Sequence, residues 1–228
     1  MSNFLEQVRG KLIVSCQALE DEPLHSSYIM SRMAYAAKLG GAAGIRANTV
    51  EDITEIKKTV DLPVIGIIKQ VYPGCPVFIT PTLREVAALA DCGVDVIALD
   101  ATARPRPDGR TLEQFFSDVR RRWPGQLFMA DCATWQEAAA ARDMGFDIVG
   151  TTLRGYTEDT AGIPIPDMDL LARLGRTMGI PVIAEGGIWL PEQLNQILSL
   201  EGIHAAVIGG AITRPMEITK RFVQAIHS

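Results

Sequence analysis

The chain has 228 residues, 47% of them hydrophobic, and a formal net charge of −5. That length can bury a sizeable core, and a mildly acidic balance without a basic block excludes a nucleic-acid partner but not a small anion held by local donors. Cys16, Cys75, Cys92 and Cys132 lack paired-ligand spacing, "MSNFLEQVRGK" lacks a signal's apolar run, and no stretch reaches membrane-spanning length, so a cytoplasmic protein with reduced thiols and no membrane partner is expected.

Apolar runs and helical spacings then alternate. "KLIVSC" (11–16) is a predicted strand and "YIMSRMAYAAKLG" (28–40) a helix; "AAGIR" (42–46) and "VEDITEIKKT" (50–59) repeat the pair. "PVIGIIK" (63–69) is followed, after a loop and a short "FIT" (78–80), by the helix "LREVAALADCG" (83–93). "VDVIALD" (94–100) leads to "LEQFFSDVRRRW" (112–123), and "QLFMAD" (126–131) to "WQEAAAARDMG" (135–145). "FDIVGTT" (146–152) precedes a long loop and "MDLLARLGRTMG" (168–179). "PVIAE" (181–185) leads to "PEQLNQILSLEG" (191–202), and "HAAVIGG" (204–210) to "MEITKRFVQAIHS" (216–228).

The strands are short continuous apolar runs, as parallel strands buried on both faces should be. Several units share one grammar of helix, glycine and strand, with the glycine expected to end the helix in the left-handed conformation. Eight strand–helix units predict an α/β fold, a single (β/α)₈ TIM barrel over residues 1–228, with the segment before Lys11 a short helix across its bottom. The competing doubly wound sheet usually carries a glycine-rich first loop; here that loop is "SCQALEDEP".

In a barrel, residues at the C-terminal strand ends face the active site. Those ends are Gln17, Arg46, Lys69, Asp100, Asp131, Thr151–Thr152, Glu185 and Gly209–Gly210. The loops after strands 7 and 8, "EGGIWLPE" and "IGGAITRP", hold the glycine pairs Gly186–Gly187 and Gly209–Gly210. Glycine lets backbone N–H groups approach an anion, these are the loops that commonly bind phosphate, and Arg214 would add a charged fork. A phosphorylated small molecule is the expected ligand.

Lys69 and Glu185 end the third and seventh strands, which face each other across an eight-stranded barrel. A substrate between them would lose a proton from one face of a carbon and regain one on the other. Desolvation and Arg46 would lower the Lys69 pKa, and desolvation would raise that of Glu185. The alternative is an ion pair, Lys69 with Glu185 or with Asp131, that ties the barrel interior together.

With "SCQ" (15–17), "GIR" (44–46), "GIIK" (66–69), "ITPT" (79–82) and "ALDATARPRP" (98–107), the chain resembles the N-acetylmannosamine-6-phosphate 2-epimerases. "MAD" (129–131), "TTLRGYT" (151–157), "IAEGG" (183–187) and "GGAITRP" (209–215) extend the likeness nearly end to end. The resemblance implies a cofactor-free isomerase of amino-sugar and sialic acid catabolism that interconverts N-acetylmannosamine 6-phosphate and N-acetylglucosamine 6-phosphate. It implies Lys69 as the base at C2 of the open-chain sugar and Glu185 as its acid partner. Gln17, Arg46 and Asp131 would orient the sugar and its N-acetyl group, and Arg214 with Gly186, Gly187, Gly209 and Gly210 would hold the phosphate.

No metal is expected, because His25, His204 and His227 stand at no strand end. Cys132 reads as a small buried hydrophobe. "RPRPDGR" (104–110) reads equally as a loop closing over substrate or a solvated surface loop, and Tyr156 as a ligand contact or loop packing. Two other functions fit the residues: a Schiff-base lyase with Lys69 as nucleophile, and a non-catalytic phosphosugar-binding barrel. The terminal helix carries an apolar stripe, Ile218, Phe222, Val223 and Ile226, that suits the core or a homodimer.

Overall fold

In a computed structural model, which describes residues 3–226, parallel strands close into a barrel in sequence order. They are β1 Leu12–Cys16, β2 Gly44–Asn48, β3 Val64–Ile67, β4 Val96–Asp100, β5 Leu127–Asp131, β6 Ile148–Gly150, β7 Val182–Glu185 and β8 Ile203–Ile208. β8 pairs with β1 through Leu12↔Ala206 and Val14↔Ile208, which closes the ring. The helices are α1 Asn3–Val8, α2 Ser27–Leu39, α3 Val50–Thr59, α4 Leu83–Asp91, α5 Leu112–Arg122, α6 Trp135–Asp143, α7 Met168–Thr177, α8 Pro191–Leu198 and α9 Pro215–Ile226.

Local chemistry sets the helix boundaries. Thr82, Thr111 and Thr134 cap α4, α5 and α6, each answered by a Glu or Gln three residues later. Gly41, Gly93, Gly145 and Gly202 hold φ of 94°, 66°, 92° and 80°, so the glycine grammar sets the chain reversals. After α2, Gly41 takes the left-handed conformation; Gly40 stays right-handed at φ −76°. α9 begins at Pro215, whose missing N–H costs nothing at a first helical position. The expected extension of this helix through 227–228 lies outside the described residues.

Alternation along each strand sorts the core into two shells. Ile13, Ile65, Ile67, Val96, Ala98, Met129, Ile148, Ile183, Ala205 and Val207 fill the barrel interior, and Phe4 and Val8 of α1 join that cluster from below. Val14, Ile45, Ile97, Leu99, Phe128 and Val149 point outward into the layer beneath the helices. His204 at the base bonds the Leu5 carbonyl at 2.8 Å, and His25 bonds Ala18 O at 3.2 Å, so both serve local structure; His227 lies outside the described residues.

Candidate active site

Carrying the inward parity past the interior hydrophobes predicts which strand-end side chains meet. Ile13 leads to Ser15 and Gln17, Ile67 to Lys69, Met129 to Asp131, Ile148 to Thr152 by way of Gly150, and Ile183 to Glu185. Gly150 leaves room for the Met129 side chain, since a Cβ would lie 2.2 Å from Met129 Cε and push that flexible methyl aside. The parity also divides the two threonines after β6. Thr151 exchanges bonds with the Glu185 backbone at 2.8 and 3.0 Å, whereas Thr152 reaches inward to carboxylates.

Arg46 is the centre of a buried network. Its guanidinium forks onto Asp131 at 3.1 and 2.6 Å and lies 3.2 Å from Glu185, with Arg46 only 1% exposed and Asp131 not at all. Burial opposes the Arg46 charge, but Asp131 and Glu185 outweigh it and raise its pKa. The Thr152 hydroxyl lies 2.7 Å from Asp131 Oδ1 and 3.1 Å from Glu185 Oε2. Burial raises the Glu185 pKa, Arg46 offsets part of that rise, and Asp131 adds to it.

Lys69 stands two residues past β3. Its backbone N–H donates to Asn48 Oδ1 at 2.8 Å, and an antiparallel bridge to Ile79 fixes it against the "FIT" segment. Neither expected ion pair forms: among the described residues Arg46 takes both carboxylates and Lys69 has none within salt-bridge distance. Burial first, and Arg46 second, lower its pKa. The amine is thereby moved toward the neutral base and the acid toward the protonated form.

Lys69 and Glu185 line one cavity of about 570 Å³, with Gln17, Arg46 and Thr152 in its wall. Gln17 Nε2 donates to Ser15 Oγ at 2.8 Å, while Gln17 Oε1 and Arg46 Nε are buried without a partner among the described residues. Buried polar atoms of this kind call for a ligand or water. Asp131, expected to contact the sugar, is absent from the cavity wall; it lies behind Arg46 and orients that side chain.

The glycine loops form another wall of the cavity, and they differ in physics. Gly186 and Gly187 hold φ of 109° and 71°, and a Cβ on Gly187 would come within 2.5 Å of the Ile165 backbone. Gly209 and Gly210 have ordinary backbone angles and are small for packing: their Cβ positions lie 3.1 Å from Ser15 Cβ and from the Trp189 ring. Arg214 also lines the cavity but is paired with Glu22, whose other oxygen accepts from Leu19 N–H at 2.8 Å. Burial pushes the Glu22 carboxyl up, but Leu19 N–H and Arg214 outweigh it and hold it below its usual range.

Some lining residues escaped the sequence reading. Trp189 reaches the cavity, with Arg221 stacked 4.1 Å over its ring, while Tyr156, read as a ligand contact or loop packing, lines the cavity as well. Glu22 sits in a loop without a motif. Arg214, Glu217 and Arg221 follow a spacing of three and four that puts them on one helical side, a signal that was available.

The Arg104–Arg110 loop is no cover for this cavity. Arg104 bonds Asp100 at 2.6 Å, Arg110 bonds Asp108 and Asp118, and Arg106 is buried against Phe115 while donating to Pro81 O and Asp100 O. Cys132 is buried, and burial pushes its thiol well up, in keeping with a small hydrophobe. Among the described residues no group of three or more His, Cys, Asp or Glu side chains is placed to hold a metal ion, and no helix is long and apolar enough to cross a membrane.

The family model described as "Putative N-acetylmannosamine-6-phosphate epimerase" matches residues 30–228. The chain belongs to this family. A relative from Enterobacter sp. (strain 638), which carries that name as a 2-epimerase, is 56% identical over 100% of this chain and 97% of its own length. One from Borrelia garinii subsp. bavariensis is 53% identical over 98% of this chain and 97% of its own. The solved N-acetylmannosamine-6-phosphate 2-epimerase of Clostridium perfringens is 51% identical, with a TM-score of 0.92 over 97% of this chain and 95% of that one. A thiamine phosphate pyrophosphorylase from Pyrococcus furiosus, 17% identical at a TM-score of 0.61, shares the fold alone. Membership of the 2-epimerase family accounts for both the barrel and the isomerase reading of the site.

Proposed function

We propose that the chain interconverts N-acetylmannosamine 6-phosphate and N-acetylglucosamine 6-phosphate by proton removal and return at C2 of the open-chain sugar. The observation that carries this reading is the placement of Lys69 and Glu185, from strands four apart in a ring of eight, on one cavity with pKa values moved toward each other. Lys69 Nζ takes the C2 proton, the electron pair moves into the adjacent C1 carbonyl to give an enolate that carries the acetamido group on C2, and Glu185 delivers a proton to the opposite face of C2. The reverse reaction exchanges their roles.

The unpartnered Gln17 Oε1 and Arg46 Nε are an acceptor and a donor. They suit the N–H of an acetamido group and an oxygen of the substrate, and a preorganised donor at a developing oxyanion is worth about 2.7–4 kcal/mol. Phosphate would rest on the Gly186–Gly187 and Gly209–Gly210 backbone, with Arg214 turned from Glu22. The C1 carbonyl acidifies C2, and Lys69 and Glu185 carry the protons, so this reading calls on no cofactor, and the chain acts as one barrel domain in cytoplasmic amino-sugar breakdown. α9 buries none of its side chains, and Phe222, Val223 and Ile226 are exposed on it, which supports a homodimer that covers this stripe.

Proton NMR of N-acetylmannosamine 6-phosphate with the protein in D₂O tests the reaction. Appearance of the gluco epimer with loss of the C2 proton signal is expected. No turnover by folded protein would sink the epimerase reading in favour of a binding barrel, and a borohydride-trapped substrate adduct on Lys69 would favour the lyase.

A further inference from the structure

The Thr152 hydroxyl faces two carboxyl groups with one hydrogen. Its oxygen lies 2.7 Å from Asp131 Oδ1 and 3.1 Å from Glu185 Oε2, both within hydrogen-bond reach. If both carboxyls were ionised, the hydroxyl would satisfy one and turn a lone pair toward the other. Both contacts become favourable when one carboxyl carries a proton and donates it to the threonine oxygen.

The surroundings decide which carboxyl that is. Asp131 is fully buried and receives both arms of the Arg46 fork, so its oxygens are the better supplied with donors. Glu185 has a single Arg46 contact at 3.2 Å and is 15% exposed to the cavity. The shorter threonine contact, to Asp131, also points the hydroxyl hydrogen that way. The groups facing Glu185 are Arg46 from β2, Lys69 from the end of β3, Asp131 from β5 and Thr152 from the end of β6; β8 offers only the uncharged Val207 and Gly209.

We propose that Thr152 is a positioning residue that holds the proton on Glu185, by donating its own hydrogen to Asp131 and accepting from the glutamic acid. When Glu185 gives up its proton, the hydroxyl keeps its hydrogen on the nearer Asp131, so the new carboxylate gains no bond from the threonine and the protonated form stays favoured. The threonine thus favours the protonated acid without itself ionising or touching C2. Its value to catalysis rests on the epimerase reading; its effect on Glu185 does not.

The test is the titration of the Glu185 carboxylic acid itself, read by infrared spectroscopy as the protonated-carboxyl band that Glu185→Gln removes. Thr152→Val should move its midpoint down by about one pH unit, the scale of one buried hydrogen bond, and Thr152→Ser should restore it. One limb of the kcat/KM profile should move by the same amount. An unchanged midpoint, or one that rises because the hydroxyl had been donating to Glu185, would overturn the proposal. If Thr152→Val fails to fold, Thr152→Cys, whose S–H bonds only weakly, should give a smaller shift in the same direction. Absence of turnover by the wild-type protein would strike the epimerase reading alone, and the infrared titration would still decide the role of Thr152.

Discussion

The end of β4 and the ends of β3 and β7 look alike in sequence and behave differently in space. Asp100 at the end of β4 spends both oxygens within its own loop, on Thr102 and Arg104, and Arg106 spends its donors on backbone carbonyls. Among the described residues Lys69 has no carboxylate partner, and Glu185 shares Arg46 with a stronger claimant. Charge at a barrel mouth therefore marks chemistry only where bonding capacity is left over. A satisfied strand-end carboxylate is architecture; an unsatisfied one facing a cavity is available to a substrate.

Lys69→Ala offers the largest contrast. It should lower kcat by about 10²–10⁴ while the Tm stays at or above that of wild type, since it removes a partly desolvated cation beside Arg46 and breaks no ion pair. A Tm fall with retained turnover would invert the assignment.

Asp131→Asn and Asp100→Asn come next. Asp131→Asn breaks a fully buried ion pair and should lose about 3–5 kcal/mol of stability by denaturant titration, and Asp100→Asn, whose partner Arg104 is half-buried, should lose less. Only Asp131→Asn should also lower kcat/KM, because it frees Arg46, which lines the cavity; Asp100→Asn should leave kcat/KM within about twofold. Equal kinetic losses would make the two ends equivalent.

Arg214→Ala should raise KM about tenfold with little change in kcat, as expected for loss of one charge-assisted bond to a non-reacting phosphate. Arg104→Ala, in the tied loop, should leave KM unchanged. Steady-state kinetics on both variants checks the pair.

The smallest effect to resolve is in pH. One proton on the Lys69–Glu185 pair serves both directions, as neutral amine with acid or as ammonium with carboxylate, so kcat/KM should be bell-shaped. Acid adds a second proton and alkali removes the first, and each abolishes the active form. Because the Lys69 pKa is lowered from 10.5 and the Glu185 pKa raised from 4.5, both limbs should lie inside that interval. The apparent values belong to the pair and not to either residue. A limb outside the interval would show that a different group titrates.

Most of the fold was legible, because local signals carry it. Buried parallel strands read as apolar runs, glycines punctuate the helix ends, and strand parity alone aims Arg46, Lys69, Asp131 and Glu185 inward. Legibility failed where one loop meets another. Glu22 and Arg214 are 192 residues apart and carry no shared pattern. Asp131 is aimed inward by strand parity, but nothing local says that Arg46, 85 positions earlier, forks onto it.

Local patterning along the chain sets the number of strand–helix units, the side of the sheet each strand-end residue occupies, and the chemical types gathered at the mouth. These follow from hydrophobic periodicity and backbone alternation, which act within a few residues. Only the tertiary structure decided which carboxylate Arg46 claims, which amine stays unpaired and which threonine stands between two acids. Those outcomes depend on differences of a few tenths of an ångström between side chains of distant strands, and closing the barrel is what brings them within reach.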